Sequence, residues 1–422
     1  MSEGATTKED SSRPFSGYGL AGYSFFILFL ASSFFLHSRG IFFPYWMEEF
    51  DVSRTEISSV ITFTLFIGSC ISPFMGYVID RYPVKYVVVF GAFWLALGYF
   101  LLQHVDSYWA FFAVLVVFQG IGWVCVGPLV HSKLMVNWFV RNRGLALGIA
   151  IMGISVAGIV VPTITTYLAS TVGWRTTYLL YVAVLIVVVV PLSLIVIKQK
   201  PSDVGQAPDG DELQPILLQA PPSQTGRQVY SEFLRSKSFW SIVLTFTLMG
   251  GVYSAMITHL PSYLTTELDF DLYDAAYVLS VAGVFAIIGK ILFGWMMDNF
   301  PSRITVMIGI TSYFASTIVF MSTQSYILIM VAAGLFGLGF GGMEPVRSVL
   351  LSRLFGSEKF SRVSGLFTLF LAPATFWVLA TGYITDTFGS YVYAFQIWAV
   401  GFFLAGAVTM LTRLPNKEDG VI

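Results

Sequence analysis

The chain has 422 residues, of which 56% are hydrophobic and only 11% charged, and its mean hydropathy is +0.76. Soluble proteins carry about 25% charge, so this composition excludes soluble enzymes, nucleic-acid binders and secreted disulfide scaffolds together. The net charge of −1, from 23 basic and 24 acidic residues, offers no field for a polyanionic partner. Cys70 and Cys125 both lie in apolar runs and imply no disulfide framework.

Roughly 20 mostly apolar residues cross a bilayer as a helix. Twelve such stretches lie near 19–46, 54–79, 84–102, 108–138, 143–170, 174–197, 239–265, 273–297, 303–322, 326–353, 361–385 and 391–412. They are too long and too uniformly apolar for barrel strands, and the first is too long for a cleaved signal peptide. The expected fold is an all-α polytopic membrane protein with two six-helix halves, 19–197 and 238–412. Residues 1–18 are expected to be a disordered terminus and 413–422 a short tail. Residues 198–237, rich in proline and glycine with acids at Asp209, Asp211 and Glu212, are expected to form a flexible linker.

Basic residues set the orientation. With both termini cytoplasmic, inner segments hold seventeen lysines and arginines, whereas outer loops hold only Arg54 and Arg175. The expectation is a multi-pass protein of the cell (inner) membrane with cytoplasmic termini, linker and tail.

The halves repeat each other. Gly76-Tyr77-Val78-Ile79-Asp80-Arg81-Tyr82-Pro83-Val84-Lys85 follows the second stretch, and Gly294-Trp295-Met296-Met297-Asp298-Asn299-Phe300-Pro301-Ser302-Arg303 follows the eighth. The two aspartates are 218 positions apart, and Phe139 and Phe355 at the ends of the fourth and tenth stretches are 216 apart. Such constant spacing argues for duplication. Glycine permits close helix approach, and an aspartate at a helix end can bind amides or a neighbouring arginine. Gly76, Asp80, Arg81, Gly294, Asp298 and Arg303 are therefore read as a conformational latch between the halves.

The duplicated loop, twelve spans and central linker resemble the major facilitator superfamily over nearly the whole chain. Two further stretches, Gly40-Ile41-Phe42-Phe43 through Asp51-Val52-Ser53-Arg54-Thr55-Glu56-Ile57-Ser58 and Trp138-Phe139-Val140-Arg141-Asn142-Arg143-Gly144-Leu145-Ala146-Leu147-Gly148, are similar to bacterial monocarboxylate transporters and oxalate/formate-type antiporters. The resemblance implies a substrate site near the midplane and rocker-switch alternating access.

Charges inside the spans are expensive and point to function. The spans contain Arg39, Lys133, Lys290 and Arg347 against Glu344, a surplus of positive charge suited to an anion. In the first span, His37 and Arg39 are two apart and project in nearly opposite directions. Arg39 either faces inward to substrate or pairs with Glu48 or Glu49 at the outer edge. In the fourth, Gln119 and Trp123 share a face, as substrate contacts or as packing. Lys133, near the inner interface, is expected to snorkel to the surface.

His259, in the seventh span, resembles a substrate-adjacent histidine of bacterial monocarboxylate carriers and can exchange protons near neutrality. The alternative is packing on a carbonyl freed by Pro261. Lys290 lies about 12 Å from its helix end, at a position where the resembling families place a basic residue, usually arginine. They also tend to carry an aspartate four residues earlier, where this chain has Ala286. In the tenth span Glu344 and Arg347 are one turn apart and can pair. Pro345 between them deprives the Gly341 carbonyl of its helical partner.

Lys290, Arg347, His259, Arg39, Gln119 and Trp123 are thus candidate substrate-binding residues, with Glu344 and His259 as candidate proton-coupling residues. No catalytic residue, metal site or cofactor is expected, nor a nucleotide-binding loop for ATP. The expected partners are a small carboxylate anion, protons and the lipid bilayer. The expected activity is proton-coupled symport of a lactate- or pyruvate-like monocarboxylate, with carboxylate exchange of the oxalate/formate type as the alternative. A non-transporting sensor would require a larger folded appendage than this linker and these tails supply.

Overall fold

The protein's structure, a computed structural model, describes residues 15–52, 54–210, 226–412 and 414–415. The expectations for residues 1–14, for the linker acids Asp211 and Glu212 and for the tail from 416 lie outside the described residues. Every regular element among the described residues is helical.

The spans are α1 (Gly17–Phe50), α2 (Arg54–Arg81), α3 (Val84–His104) and α4 (Tyr108–Trp138), followed by a helical stretch over Arg143–Val196. Fifty-four residues of straight helix would measure about 80 Å, far more than the roughly 30 Å hydrocarbon core. Gly173 resolves the excess, because its φ of 82° and ψ of 160° reverse the chain and divide the stretch into α5 (143–172) and α6 (174–196). No atom stands within 4 Å of a Cβ built there, so glycine is required by the backbone conformation alone. The second half comprises α7 (Lys237–Thr266), α8 (Leu272–Asn299), α9 (Ser302–Ser322), α10 (Tyr326–Phe355), α11 (Phe360–Phe388) and α12 (Val392–Leu411). The architecture is the expected twelve-helix bundle.

Two seams join the halves: α2 packs on α11, and α8 on α5. The duplicated glycines set how close they come. A Cβ on Gly76 would stand 2.2 Å from the Ser361 carbonyl oxygen, and one on Gly294 would stand 2.3 Å from that of Gly144. One or two turns away the pattern recurs, with Gly365 against the Ser72 carbonyl (2.2 Å) and Gly148 against that of Lys290 (2.3 Å). These partners are related by the spacing of the sequence repeat, so the two seams are copies of one contact. Both lie toward the end of the bundle that carries the linker.

The described parts of the linker are ordered, contrary to the expectation of a flexible segment. Trp138 Nε1 donates to the Lys198 carbonyl (2.9 Å) and Asn137 Nδ2 to that of Gln199 (3.1 Å). Pro201 and Ala207 are buried, and the Asp203 carboxylate accepts from the Gln199 and Lys200 amides. Past the undescribed stretch, helix Gly226–Arg235 buries Phe233 against Phe355. Composition counted the prolines, but it could not register the surface on which Pro201 is buried. The N-terminal segment likewise becomes ordered earlier than expected: Phe15 packs on Trp138 and Phe139, and α1 begins at Gly17.

Gly76→Ala is expected to lower the thermal unfolding midpoint clearly, because backbone must move to admit the methyl group, at a cost of about 1–3 kcal/mol. Gly22, whose Cβ position is open, tolerates alanine or gains slightly from it. Thermal denaturation of the two purified variants beside the parent tests the contrast.

Candidate functional site

Between the halves lies a cavity of about 390 Å³. Phe35, Trp123 and Ile154 wall it from the first half, and Phe246, Met249 and Phe340 from the second. Three charged side chains reach it, Lys290, Glu344 and Arg347. This mostly apolar box with a few placed polar groups suits a small molecule.

Lys290 is 4% exposed, and its ammonium donates to Ser155 Oγ on α5, across the divide between halves. It also sits 5.4 Å from the Phe340 ring centroid, a cation–π contact. Phe340 is in turn stacked flat on Tyr253. Among the described residues Lys290 has no ion-pair partner. One turn of α10 brings Glu344 and Arg347 into a salt bridge, with the guanidinium 5.3 Å from the Phe367 ring. The helix runs unbroken through Pro345.

Trp123 lines the cavity and stacks on Phe35, the rings 4.4 Å apart and 3° from parallel. Gln119 does not share that position, although the two are four residues apart. Gln119, one turn nearer the start of the helix, accepts a hydrogen bond from Arg39 at 2.5 Å. Arg39 is buried and lies over Phe35, 4.1 Å from the centroid, so that ring stands between the guanidinium and the cavity wall. Of the two alternatives for Arg39, the inward orientation is the one observed, with Gln119 and Phe35 rather than the cavity as its contacts. It does not pair with Glu49, which instead receives Arg175 and Trp174 Nε1.

His259 also stands apart from the cavity. Its ring nitrogens meet the Val378 carbonyl (3.1 Å) and the Tyr391 hydroxyl (3.4 Å), within the second half. His37 contacts the Ile154 carbonyl at 3.0 Å. The structure therefore brings Lys290, Glu344, Arg347 and Trp123 together and leaves Arg39, Gln119 and His259 outside.

The two repeat aspartates both cross between halves. Asp298 accepts from the Gly144 and Leu145 amides, each at 2.8 Å, at the N-terminus of α5. Asp80 accepts from the Arg362 amide at 3.1 Å, at the N-terminus of α11, with the Arg362 side chain 3.7 Å away. Arg81 and Arg303 do not share this geometry. Arg81 turns to the Tyr77 hydroxyl and Arg303 to the Thr412 carbonyl, both within their own half.

Lys133 departs from the snorkelling expectation. It is 4% exposed, pairs with Asp80 at 2.9 Å and donates to the Ser357 carbonyl on the other half. Its nearness to a helix end in sequence suggested water, but Asp80 from α2 covers it. Arg362 and Ser155 escaped the sequence reading altogether. The repeat could have given Arg362, since it stands at the start of α11 as Leu145 does at the start of α5.

With Lys133 neutralised by Asp80 and Arg39 outside, the charged lining of the cavity is Lys290, Arg347 and Glu344, one net positive charge. Lys290→Met removes a buried ammonium without stranding a carboxylate, so folding stability is expected to stay level or rise. Thermal unfolding of the variant measures this, and a large loss of stability would mean that the ammonium is a structural tie.

The family profile described as Major Facilitator Superfamily matches residues 24–372 and again 283–421. Monocarboxylate transporter 13 of Rattus norvegicus is 24% identical over 386 residues, covering 90% of this chain and 85% of the relative. The hexuronate transporter of Escherichia coli (strain K12) is 22% identical over 396 residues, covering 89% and 88%. The solved structure of FucP, a Major Facilitator Superfamily transporter in the outward conformation, superposes with a TM-score of 0.71 at 15% identity, covering 93% of this chain and 99% of that one. The duplicated seams, the twelve spans and the family profile agree: the chain belongs to the major facilitator superfamily and is a multi-pass membrane protein, a secondary transporter of that type.

Proposed function

We propose that this transporter carries a small monocarboxylate of the lactate or pyruvate kind together with protons, by rocking its halves about the central cavity. The observation that carries this reading is the Lys290 ammonium, which has no ion-pair partner among the described residues and faces a largely apolar space. One net positive charge among the lining residues is balanced by one carboxylate. With Glu344 ionised a dianion would leave the site negatively charged in low dielectric. Once Glu344 is protonated the lining carries two positive charges, so the preference for a monocarboxylate over the oxalate-type exchange that the sequence left open rests on the apolar walls. The phenyl and indole walls suit a short apolar tail. The names of two relatives, a monocarboxylate and a hexuronate transporter, are those of carboxylate carriers and support the anion class.

In this mechanism Lys290 anchors the carboxylate, leaving Ser155 as it does so. Because Ser155 belongs to the other half, anion arrival changes a contact that crosses the rocking interface. Glu344 holds Arg347 while the cavity is empty. Protonation of Glu344 releases Arg347 toward the anion, so that proton and anion load together. His259, held by Val378 and Tyr391, is the second candidate for the proton. Trp123 closes the wall, and Arg39 with Gln119 supports Phe35 from behind. The setting is the cell membrane with both termini and the linker in the cytoplasm, as the distribution of basic residues favours.

Uptake of radiolabelled lactate and oxalate into proteoliposomes, with and without an inward-acid pH gradient, tests the proposal. The parent is expected to accumulate lactate in response to the gradient. Oxalate counterflow indifferent to pH would overturn symport in favour of exchange. Lys290→Ala should abolish uptake and Lys290→Arg retain part of it. Full-rate uptake by the alanine variant would remove Lys290 from the site.

Glu344→Gln is expected to bind anion yet lose the pH dependence of transport, read as the ratio of uptake rates in acidic and in neutral medium. An unchanged ratio passes the proton role to His259, for which His259→Gln is the corresponding measurement.

A further inference from the structure

The Asp209 carboxylate reaches the turn between α4 and α5. Its Oδ2 accepts from the Val140 amide at 2.9 Å and the Arg141 amide at 2.8 Å, and its Oδ1 from the Asn142 amide at 3.3 Å. The two amides that Asp298 of the opposite half holds, Gly144 and Leu145, follow within the next three positions. One short segment, 140–145, is thus gripped from two sides, by the linker and by the other half.

Local structure explains the need. Helix α5 begins with Asn142 as its cap, but no side chain caps its amides and no acid occurs in its first turn. Asp298 from the other half satisfies two N–H groups of its first turn, Gly144 and Leu145, and Asp209 takes the three amides that lead into it. Asp209 itself adopts a left-handed backbone, φ 59° and ψ 7°, which a residue with a side chain keeps only where its surroundings over-determine it. Gly210 follows with φ 77° and packs under Phe15, which rests on Trp138 and Phe139. Upstream, the Trp138 and Asn137 bonds to Lys198 and Gln199 tie down the same stretch. The far part of the linker contacts both halves at the other seam. Glu232 pairs with Lys359 at 2.7 Å, beside the start of α11, and the Tyr230 hydroxyl donates to the Pro73 carbonyl on α2.

We propose that the linker is a brace for the closed arrangement of the face on which it lies. Asp209 fixes the α4–α5 turn so that the Gly144 and Leu145 amides present themselves to Asp298, and it thereby sets the resting balance between closed and open forms of that face. Asp209 is a positioning residue: it touches no part of the cavity and acts through the turn. Anything that lifts the linker from the turn favours opening there.

The test uses the full-length protein in lipid nanodiscs, with Cys70 and Cys125 replaced and spin labels placed at Tyr82→Cys and Phe300→Cys, exposed sites at the ends of α2 and α8. Double electron–electron resonance then reports the separation of the halves on this face. Asp209→Ala is expected to raise the ratio of long to short distances by about threefold or more, given that three bonds to a charged acceptor are lost. Asp298→Ala should produce a similar shift, and the double variant little more than either alone, because both aspartates hold the same segment.

An unchanged distribution in Asp209→Ala beside a shifted one in Asp298→Ala overturns the proposal, as does a double variant whose effects simply add. Should Asp209→Ala not yield monodisperse protein, Asp209→Asn is judged by the same outcomes. Its amide group cannot accept at both positions where the carboxylate now does. These readings do not depend on which anion is carried.

Discussion

The contact on which the rest of this architecture depends is a carboxylate at the end of one half set against the bare N-terminal amides of a helix in the other. Asp298 meets the start of α5, and Asp80 meets the start of α11. Helix N-termini carry partial positive charge and unsatisfied donors, and charge-assisted hydrogen bonds of this kind are stronger than neutral ones. Yet each contact is polar, local and placed at the edge of the bundle. Such bonds can hold two bodies together without merging their cores, as a transporter whose halves must separate requires.

Glycine makes the contact possible. The aspartates reach the opposite amides because Gly76 and Gly294, one turn before them, let the backbones of α2 and α8 almost touch those of α11 and α5. Gly148 and Gly365 continue the seam inward, and the carbonyl that Gly148 faces belongs to Lys290. The residue that would bind the anion thus has its backbone in the seam and its side chain bonded across the divide. Under the proposed binding role of Lys290, occupancy of the cavity and closure of the seam would act on the same residue.

Electrostatics divide the buried charges by task. Lys133 joins Asp80 in the latch, where its charge is spent on structure. Arg39 is held by Gln119 and an aromatic ring within the first half. Among the charged side chains of the described residues, only Lys290 and the Glu344–Arg347 pair face the cavity. A count of charges in the spans overstated the positive field that a substrate would meet, since it could not distinguish a lysine already paired across helices from one left open.

Much of this molecule was legible in its sequence because the bilayer imposes one-dimensional rules. Span length, positive charge on one side and an internal repeat need no tertiary information, and they defined twelve helices, two halves and the paired Gly–Asp loops. Position along a helix also determined that Glu344 and Arg347 meet, because a one-turn contact is local. Contacts between helices were a different matter. Gln119 left the cavity to Trp123 because Arg39 took its side-chain oxygen, Lys133 turned inward because Asp80 lay across from it, and residues 198–210 of the linker docked on α4 and the turn that follows it. Each outcome depends on what a neighbouring segment offers, which periodicity along a single chain does not encode and only the packed bundle decides.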